Sequence, residues 1–451
     1  MLALIPAAVL AQTSLHADLS AILQDPALER ASVGVFVKEL GGPVLFSSGG
    51  DKRLMPASAL KLVTAGFALE ALGANHRFVT RGWREGRNVY LLGAADPLLT
   101  VDELTDLGAR LGAERGDAVH FDDSLLGDDR VNGTWEFGDM MREDAPLVSG
   151  LTVNGGFADV VIANGQPRLR PRNFGIVLKR GKTQGEPGVR REHGAWTATV
   201  FGKLPENDDD FGTVSLPDPA LCAAMILTGK AGRATLDTVP QAALRIDKRT
   251  LADVLPAVLK RSDNHAAETI LRLAGKSLGG DGSWDDALKK EGEWLKKAGA
   301  PEGAFRLADG SGLSRFSEIT PRALVQSMER SLSQPTAAAF GSAMCRPGEG
   351  TLRNRLNGLD VRAKTGTLTG VCSLVGFIDV GGTAQVDPSG KLLPISGQSP
   401  RRILFAIVFN HYEGPASAVR PIQDAIVRRL GADHPGEDGA RDGNRRSKPS
   451  P

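Results

Sequence analysis

The stretch Met55-Pro56-Ala57-Ser58-Ala59-Leu60-Lys61 reads as the start of a helix that carries a serine and a lysine three residues apart. Pro56 suits a first helical turn, where its missing N–H costs nothing, and Leu60, Val63, Phe67 and Ala71 then recur at helical spacing along a face to be buried. Ser58 therefore sits where free N–H groups and the positive end of the helix dipole favour developing negative charge. The i,i+3 spacing brings Lys61 to the same face. A serine is a poor nucleophile without a base beside it, and a lysine is that base only when burial or a neighbouring cation lowers its pKa from the reference of about 10.4. Such a pair arises easily by chance in a long chain, so its meaning depends on what the rest of the sequence supplies.

The chain has 451 residues, room for about two or three domains and a substantial core. Its formal net charge of +1 argues against a protein drawn to nucleic acid or a membrane surface by bulk charge. With 54 glycines and 5% aromatics, it should be a globular chain of many turns around modest cores. Met1 to Ala11 is uncharged and mostly apolar and reads as a short signal peptide, although no Lys or Arg precedes the apolar run; a frayed N-terminal helix is the alternative. No stretch is long and apolar enough to span a bilayer. Cys222, Cys345 and Cys372 match no zinc or redox spacing and read as small buried hydrophobes.

A short helix from Asp18 to Gln24 should precede a β-hairpin, Val33–Val37 and Val44–Phe46 around Gly41-Gly42-Pro43, which feeds the Ser58 helix. Between Asn75 and Pro240, short strand-like runs alternate with Asp-, Gly- and Pro-rich turns. This reads as a β-rich insert at 78–240, of one or two small domains, dividing a catalytic unit at 12–77 and 241–433. Helical patterning resumes at Leu251, with Pro256 fitting only an early turn or a kink, and breaks at Ser262-Asp263-Asn264. A charged helix from Trp284, the loop Asp309-Gly310-Ser311-Gly312-Leu313-Ser314 and a helix from Pro321 follow. Lys364-Thr365-Gly366-Thr367 lies on a strand, two more strands come after it (Ser373–Ile378 and Ile403–Val408), and a helix runs from Pro415 to Leu430. Residues 434–451 lack large apolar side chains and should be a disordered tail.

Ser58-x-x-Lys61, Ser262-Asp263-Asn264 and Lys364-Thr365-Gly366 occur in the order and context of the motif set of class A β-lactamases and penicillin-binding proteins. Asp96-Pro97, Asp309–Ser314, Gly350-Thr351-Leu352 and the long gap between Ser58 and Ser262 narrow the match. The chain resembles the D-alanyl-D-alanine carboxypeptidase/endopeptidases of the low-molecular-mass class C penicillin-binding proteins, over roughly residues 18 to 430.

The resemblance implies an α+β fold of β-lactamase/transpeptidase type, an antiparallel sheet flanked by helices with a β-rich insert. It implies an extracytoplasmic enzyme that cleaves D-Ala-D-Ala in peptidoglycan stem peptides and is acylated by β-lactams, without metal or other cofactor. Ser58 would attack the penultimate carbonyl, Lys61 would take its proton, and Ser262 would relay a proton to the leaving amine with Lys364 keeping the field positive. Asn264 would hold the substrate backbone and steady Lys61, Lys364 and Thr365 the terminal carboxylate, and the N–H groups of Ser58 and Thr367 the oxyanion. Gly366 would keep the strand clear for a peptide lying alongside.

Asp263 and Asp309 read as turn organisers, His265 as a helix-surface residue, and Glu268 as a local cap or partner. A serine β-lactamase, a non-catalytic wall-binding protein of the same fold, and a general esterase are the alternatives. The class A deacylation string Glu-x-x-Leu-Asn is missing from its place, and both Ser58 and Lys61 are retained.

Overall fold

A computed structural model describes residues 7–136, 138, 147–171, 174–381, 384–386, 392–394 and 401–432. The expected tail lies outside these residues. An antiparallel five-stranded sheet runs in the order Val361–Leu368, Val371–Val380, Arg401–Asn410, Ser32–Glu39, Val44–Ser48. Its central strand, Arg401–Asn410, reads as an unbroken apolar run because both faces are covered. Leu404, Ala406 and Val408 point into one core, and Ile403, Phe405, Ile407 and Phe409 into the other, as the period of two requires.

The first core joins the sheet to the helices Lys61–Leu72, Leu251–Leu259, Asn264–Ser277, Trp284–Lys297 and Pro321–Leu332. The second joins it to the helices Ala7–Ile22 and Ala416–Gly431. The architecture is therefore an antiparallel sheet between two helical layers, as the motifs implied. The N-terminal helix begins well before Asp18, at Ala7. Pro256 lies inside the Leu251–Leu259 helix rather than at its edge. That helix reaches only a few residues further, so Pro256 removes an N–H close to the end of a short ladder. The three cysteines are buried and unpaired.

Between the Lys61–Leu72 and Leu251–Leu259 helices the chain builds a mixed five-stranded sheet, Ala231–Arg233, Ala118–Asp122, Asn88–Leu92, Thr80–Glu85, Leu244–Ile246, and two three-stranded sheets. The β-rich texture is interrupted by two helices, Val101–Arg110 and Pro219–Thr228, each with a side-chain N-cap, from Thr100 and Asp218. A third hydrophobic core, from Val89 to Ile246, serves this region alone. Asp96 links it to the start of the Leu251–Leu259 helix. Its buried carboxylate receives Arg249 Nη1 at 2.7 Å and the Leu98 N–H at 2.9 Å, while Arg249 Nη2 donates to Glu103. The Asp96-Pro97 stretch is thus a structural anchor.

Candidate active site

Residues Ala57–Leu60 form a single 3-10 turn that runs directly into the helix Lys61–Leu72, so Ser58 precedes the α-helix by less than one turn. Ala57 has φ +47°, an uncommon conformation for a residue with a side chain. Two glycines explain how the turn is held. A Cβ on Gly312 would come within 2.0 Å of the Ala57 carbonyl oxygen, and one on Gly366 within 2.5 Å of the Pro56 oxygen and 3.0 Å of the Ser58 nitrogen. Loop and strand therefore grip the turn from two sides, backbone against backbone. Gly366 makes room for the chain's own serine turn.

Lys61 is fully buried. Its Nζ lies 3.1 Å from Ser58 Oγ, 2.5 Å from Asn264 Oδ1 and 2.8 Å from the Ser311 carbonyl oxygen. Ser262, at φ +64°, closes the turn between two helices, and the Asp263 carboxylate caps the second by accepting the Ala266 N–H at 2.9 Å, as expected of it. Lys364, also fully buried, donates to Ser262 Oγ at 2.8 Å and to the Thr365 carbonyl at 2.9 Å. Burial first, and then the charge of Lys61, push the Lys364 pKa well below the ordinary lysine value. Burial thus works against the positive charge expected of Lys364, and a neutral Lys61 beside it removes one of the two opposing effects.

The eight residues singled out for the site fall in one place. Ser58 and Asn264 are both hydrogen-bonded to Lys61, Ser262 is hydrogen-bonded to Lys364, and the two lysines are near enough for the charge of one to act on the other. Thr365, Gly366 and Thr367 follow along Val361–Leu368, an edge strand of the sheet, with Thr365 half-buried and Thr367 exposed. Among the described residues no group of His, Cys, Asp and Glu is placed to hold a metal ion, and no helix is long and apolar enough to cross a membrane.

Beneath the lysine lies a buried polar layer. Asp309 organises its loop, accepting from the Gly312 and Ser314 N–H groups at 3.1 and 2.7 Å and from Ser317 Oγ at 2.8 Å. Glu268 was read as a local partner, but its bonds are long-range, to Trp284 Nε1 (2.8 Å), the Gly310 N–H (3.0 Å) and the Ser311 N–H (2.7 Å). Its position one helical turn after Asn264, on the same face, was the available signal. His265 is 2% exposed, not a surface residue, and burial lowers its pKa. The helix Asn264–Ser277 is buried almost all round in its first turns, between the serine helix and the inserted region, which leaves no surface for it.

The comparisons with known proteins concern the chain as a whole. Residues 15–432 match the D-Ala-D-Ala carboxypeptidase 3 (S13) family. The D-alanyl-D-alanine carboxypeptidase of Actinomadura sp. (strain R39) is 32% identical over 95% of this chain and 87% of its own. The D-alanyl-D-alanine carboxypeptidase DacB of Haemophilus influenzae is 25% identical over 78% of this chain and 83% of its own. The crystal structure of penicillin binding protein 4 (dacB) from Haemophilus influenzae superposes with a TM-score of 0.71 at 20% identity, over 91% of this chain and 98% of that one, and shares the fold. The chain belongs to the D-Ala-D-Ala carboxypeptidase 3 (S13) family.

Proposed function

We propose that the protein is a serine-type D-Ala-D-Ala carboxypeptidase that acts on peptidoglycan stem peptides through an acyl-enzyme on Ser58 and is acylated by β-lactams. The observation that carries this reading is the coordination of Lys61. A neutral amine has two N–H groups and one lone pair. Asn264 Oδ1 and the Ser311 carbonyl are acceptors suited to the two hydrogens, and the lone pair is then left for Ser58 Oγ at 3.1 Å. In that state Lys61 takes the serine proton as Ser58 attacks the carbonyl of the penultimate D-Ala.

Ser262, which accepts a hydrogen bond from Lys364, gives its hydroxyl proton to the leaving amine, and the proton that Lys61 took from Ser58 restores it. The N–H groups of Ser58 and Thr367 receive the oxyanion, Thr365 and Lys364 the terminal carboxylate, and Asn264 the peptide backbone. The substrate adds as a strand along the outer edge of Val361–Leu368. The catalytic unit comprises 12–77 and 241–433 and the insert 78–240, a division supported by the separate core of the latter. An enzyme of this substrate works outside the cytoplasm, consistent with residues 1–11 being a signal peptide.

The test is mass spectrometry of the intact protein and its peptides after benzylpenicillin. A stable adduct on Ser58 that disappears in Ser58→Ala supports the reading, and rapid loss of the adduct with turnover of the drug would indicate a β-lactamase instead.

A further inference from the structure

Lys61 is held from behind as well as from the substrate side. The Ser311 carbonyl that faces Lys61 Nζ belongs to a peptide segment whose two preceding N–H groups, of Gly310 and Ser311, both end on the Glu268 carboxylate. Glu268 is fully buried and receives a third donor, Trp284 Nε1. All three partners donate, so the arrangement is satisfied by a carboxylate and not by a carboxylic acid, whose own hydrogen would have to face a donor. Resting on the serine–lysine reading above, we infer that Glu268, as the ionised carboxylate, is a positioning residue for Lys61: it fixes the Ser311 carbonyl, and through it the direction of the Lys61 lone pair.

A second link reaches the same loop. Thr64, one turn beyond Lys61, places Oγ1 2.8 Å from the Gly310 carbonyl and 2.9 Å from Glu291 Oε1. A hydroxyl has one hydrogen. When Thr64 gives it to Gly310, the hydrogen in the other contact must come from Glu291, which is then the protonated acid. Glu291 Oε2 is buried without a partner, a placement a carboxylate would not tolerate, and burial holds the Glu291 pKa well above the ordinary carboxyl value. The two buried acids thus divide the roles, one accepting only and one donating, and both act on residues 310–311.

The groups facing Glu268 are Asp309 from the loop, Glu291 from the helix Trp284–Lys297 and Arg272 from its own helix. Burial, followed by the charge of Asp309, raises the Glu268 pKa to about 7, against the lowering effect of its three donors. The carboxylate is the positioning form, so its contribution is present above that value and lost as pH falls through it.

The test measures the benzylpenicillin acylation rate constant against pH for the parent, Glu268→Gln and Trp284→Phe. Gln keeps the size but turns an NH2 toward donors, so acylation should fall by about tenfold to a hundredfold, as small misplacements of a base do. The part of the acid-side limb belonging to Glu268 should vanish. Trp284→Phe removes one donor that lowers the Glu268 pKa, so the limb should move to higher pH. A purely structural role would lower stability without moving the limb. Acylation by Glu268→Gln within about twofold of the parent, with the limb in place, overturns the inference. Should that variant not fold, an unmoved limb in Trp284→Phe overturns it alone. A parent that is never labelled on Ser58 would defeat the functional reading instead, so the two failures are distinguishable.

Discussion

The backbone nitrogen of Ser58 lies 3.0 Å from the point where Gly366 would carry a Cβ, so strand and serine turn meet without a side chain between them. Gly366→Ala must displace one of them. The contacts are to backbone, at 2.5 Å from the Pro56 oxygen and 2.9 Å from the Ala59 nitrogen, and backbone cannot swing aside as a flexible side chain can. Overpacking of this kind costs about 1–3 kcal/mol of stability. The acylation rate should fall much more than stability does, by about 10²-fold, because the displaced atoms carry the nucleophile. Thermal unfolding and stopped-flow acylation on the same variant separate the two effects.

The two buried lysines are expected to respond differently to arginine. Lys61→Arg puts a permanent cation there that cannot release a proton near neutral pH, so acylation should collapse while the fold survives. Lys364→Arg retains a cation able to face a carboxylate, and should mainly weaken the binding of D-Ala-D-Ala peptides while acylation by penicillin stays measurable. Acylation rates and KM for both variants check this. The reverse pattern would exchange the roles of the two lysines.

Glu291 gives a stability prediction with a definite sign. Its folded pKa is raised well above the unfolded reference of 4.5, chiefly by burial. Its stabilising contribution is therefore complete below that reference and declines as pH rises through the folded value. Glu291→Gln stays neutral at every pH and can offer an amide hydrogen to Thr64. The loss of Tm on the alkaline side should be smaller in the variant than in the parent, as measured by calorimetry across the pH range.

Two acids of the inserted region should behave unequally. Asp122 is 6% exposed and accepts from the Ser124 and Leu236 N–H groups, each at 2.9 Å. Burial acts to raise its pKa, yet those bonds outweigh it and the pKa is lowered, so Asp122 stabilises above the ordinary carboxyl range and ceases to do so on acidification. Asp122→Ala leaves buried N–H groups unpaired and should cost about 1–3 kcal/mol. Asp208→Asn alters a residue of the strand Asn207–Ser215 beside an irregularity in its pairing, where the side chain accepts the Asp210 N–H, and should change little. Turnover of small D-Ala-D-Ala peptides should survive both, and a thousand-fold fall, about 4 kcal/mol, from either would mean that the insert carries chemistry.

How much of this was legible in the sequence follows from what each signal encodes. Ser58, Lys61, Ser262, Asn264 and Lys364 were readable because their roles need particular residue types at particular spacings, and the strand Arg401–Asn410 because burial on both faces leaves an apolar run. His265 was misread since a polar residue early in a helix ordinarily faces water, and nothing local told of the inserted region packing over it. Glu268 and Glu291 were not recognisable as buried. A glutamate on a helix looks the same whether it meets solvent or three N–H donors from a distant loop. The reason for Gly366 was likewise tertiary, since the atoms it makes room for lie far back in the chain.

The central claim is that Ser58, activated by Lys61, is the nucleophile toward D-Ala-D-Ala and its β-lactam mimics. The most direct test is intact-protein and peptide mass spectrometry after incubation with benzylpenicillin, for the parent and Ser58→Ala. The account predicts one long-lived penicilloyl group per chain on the peptide containing Ser58, and none in the variant. An undiminished adduct in Ser58→Ala, or an adduct located on another residue of the parent, would contradict it.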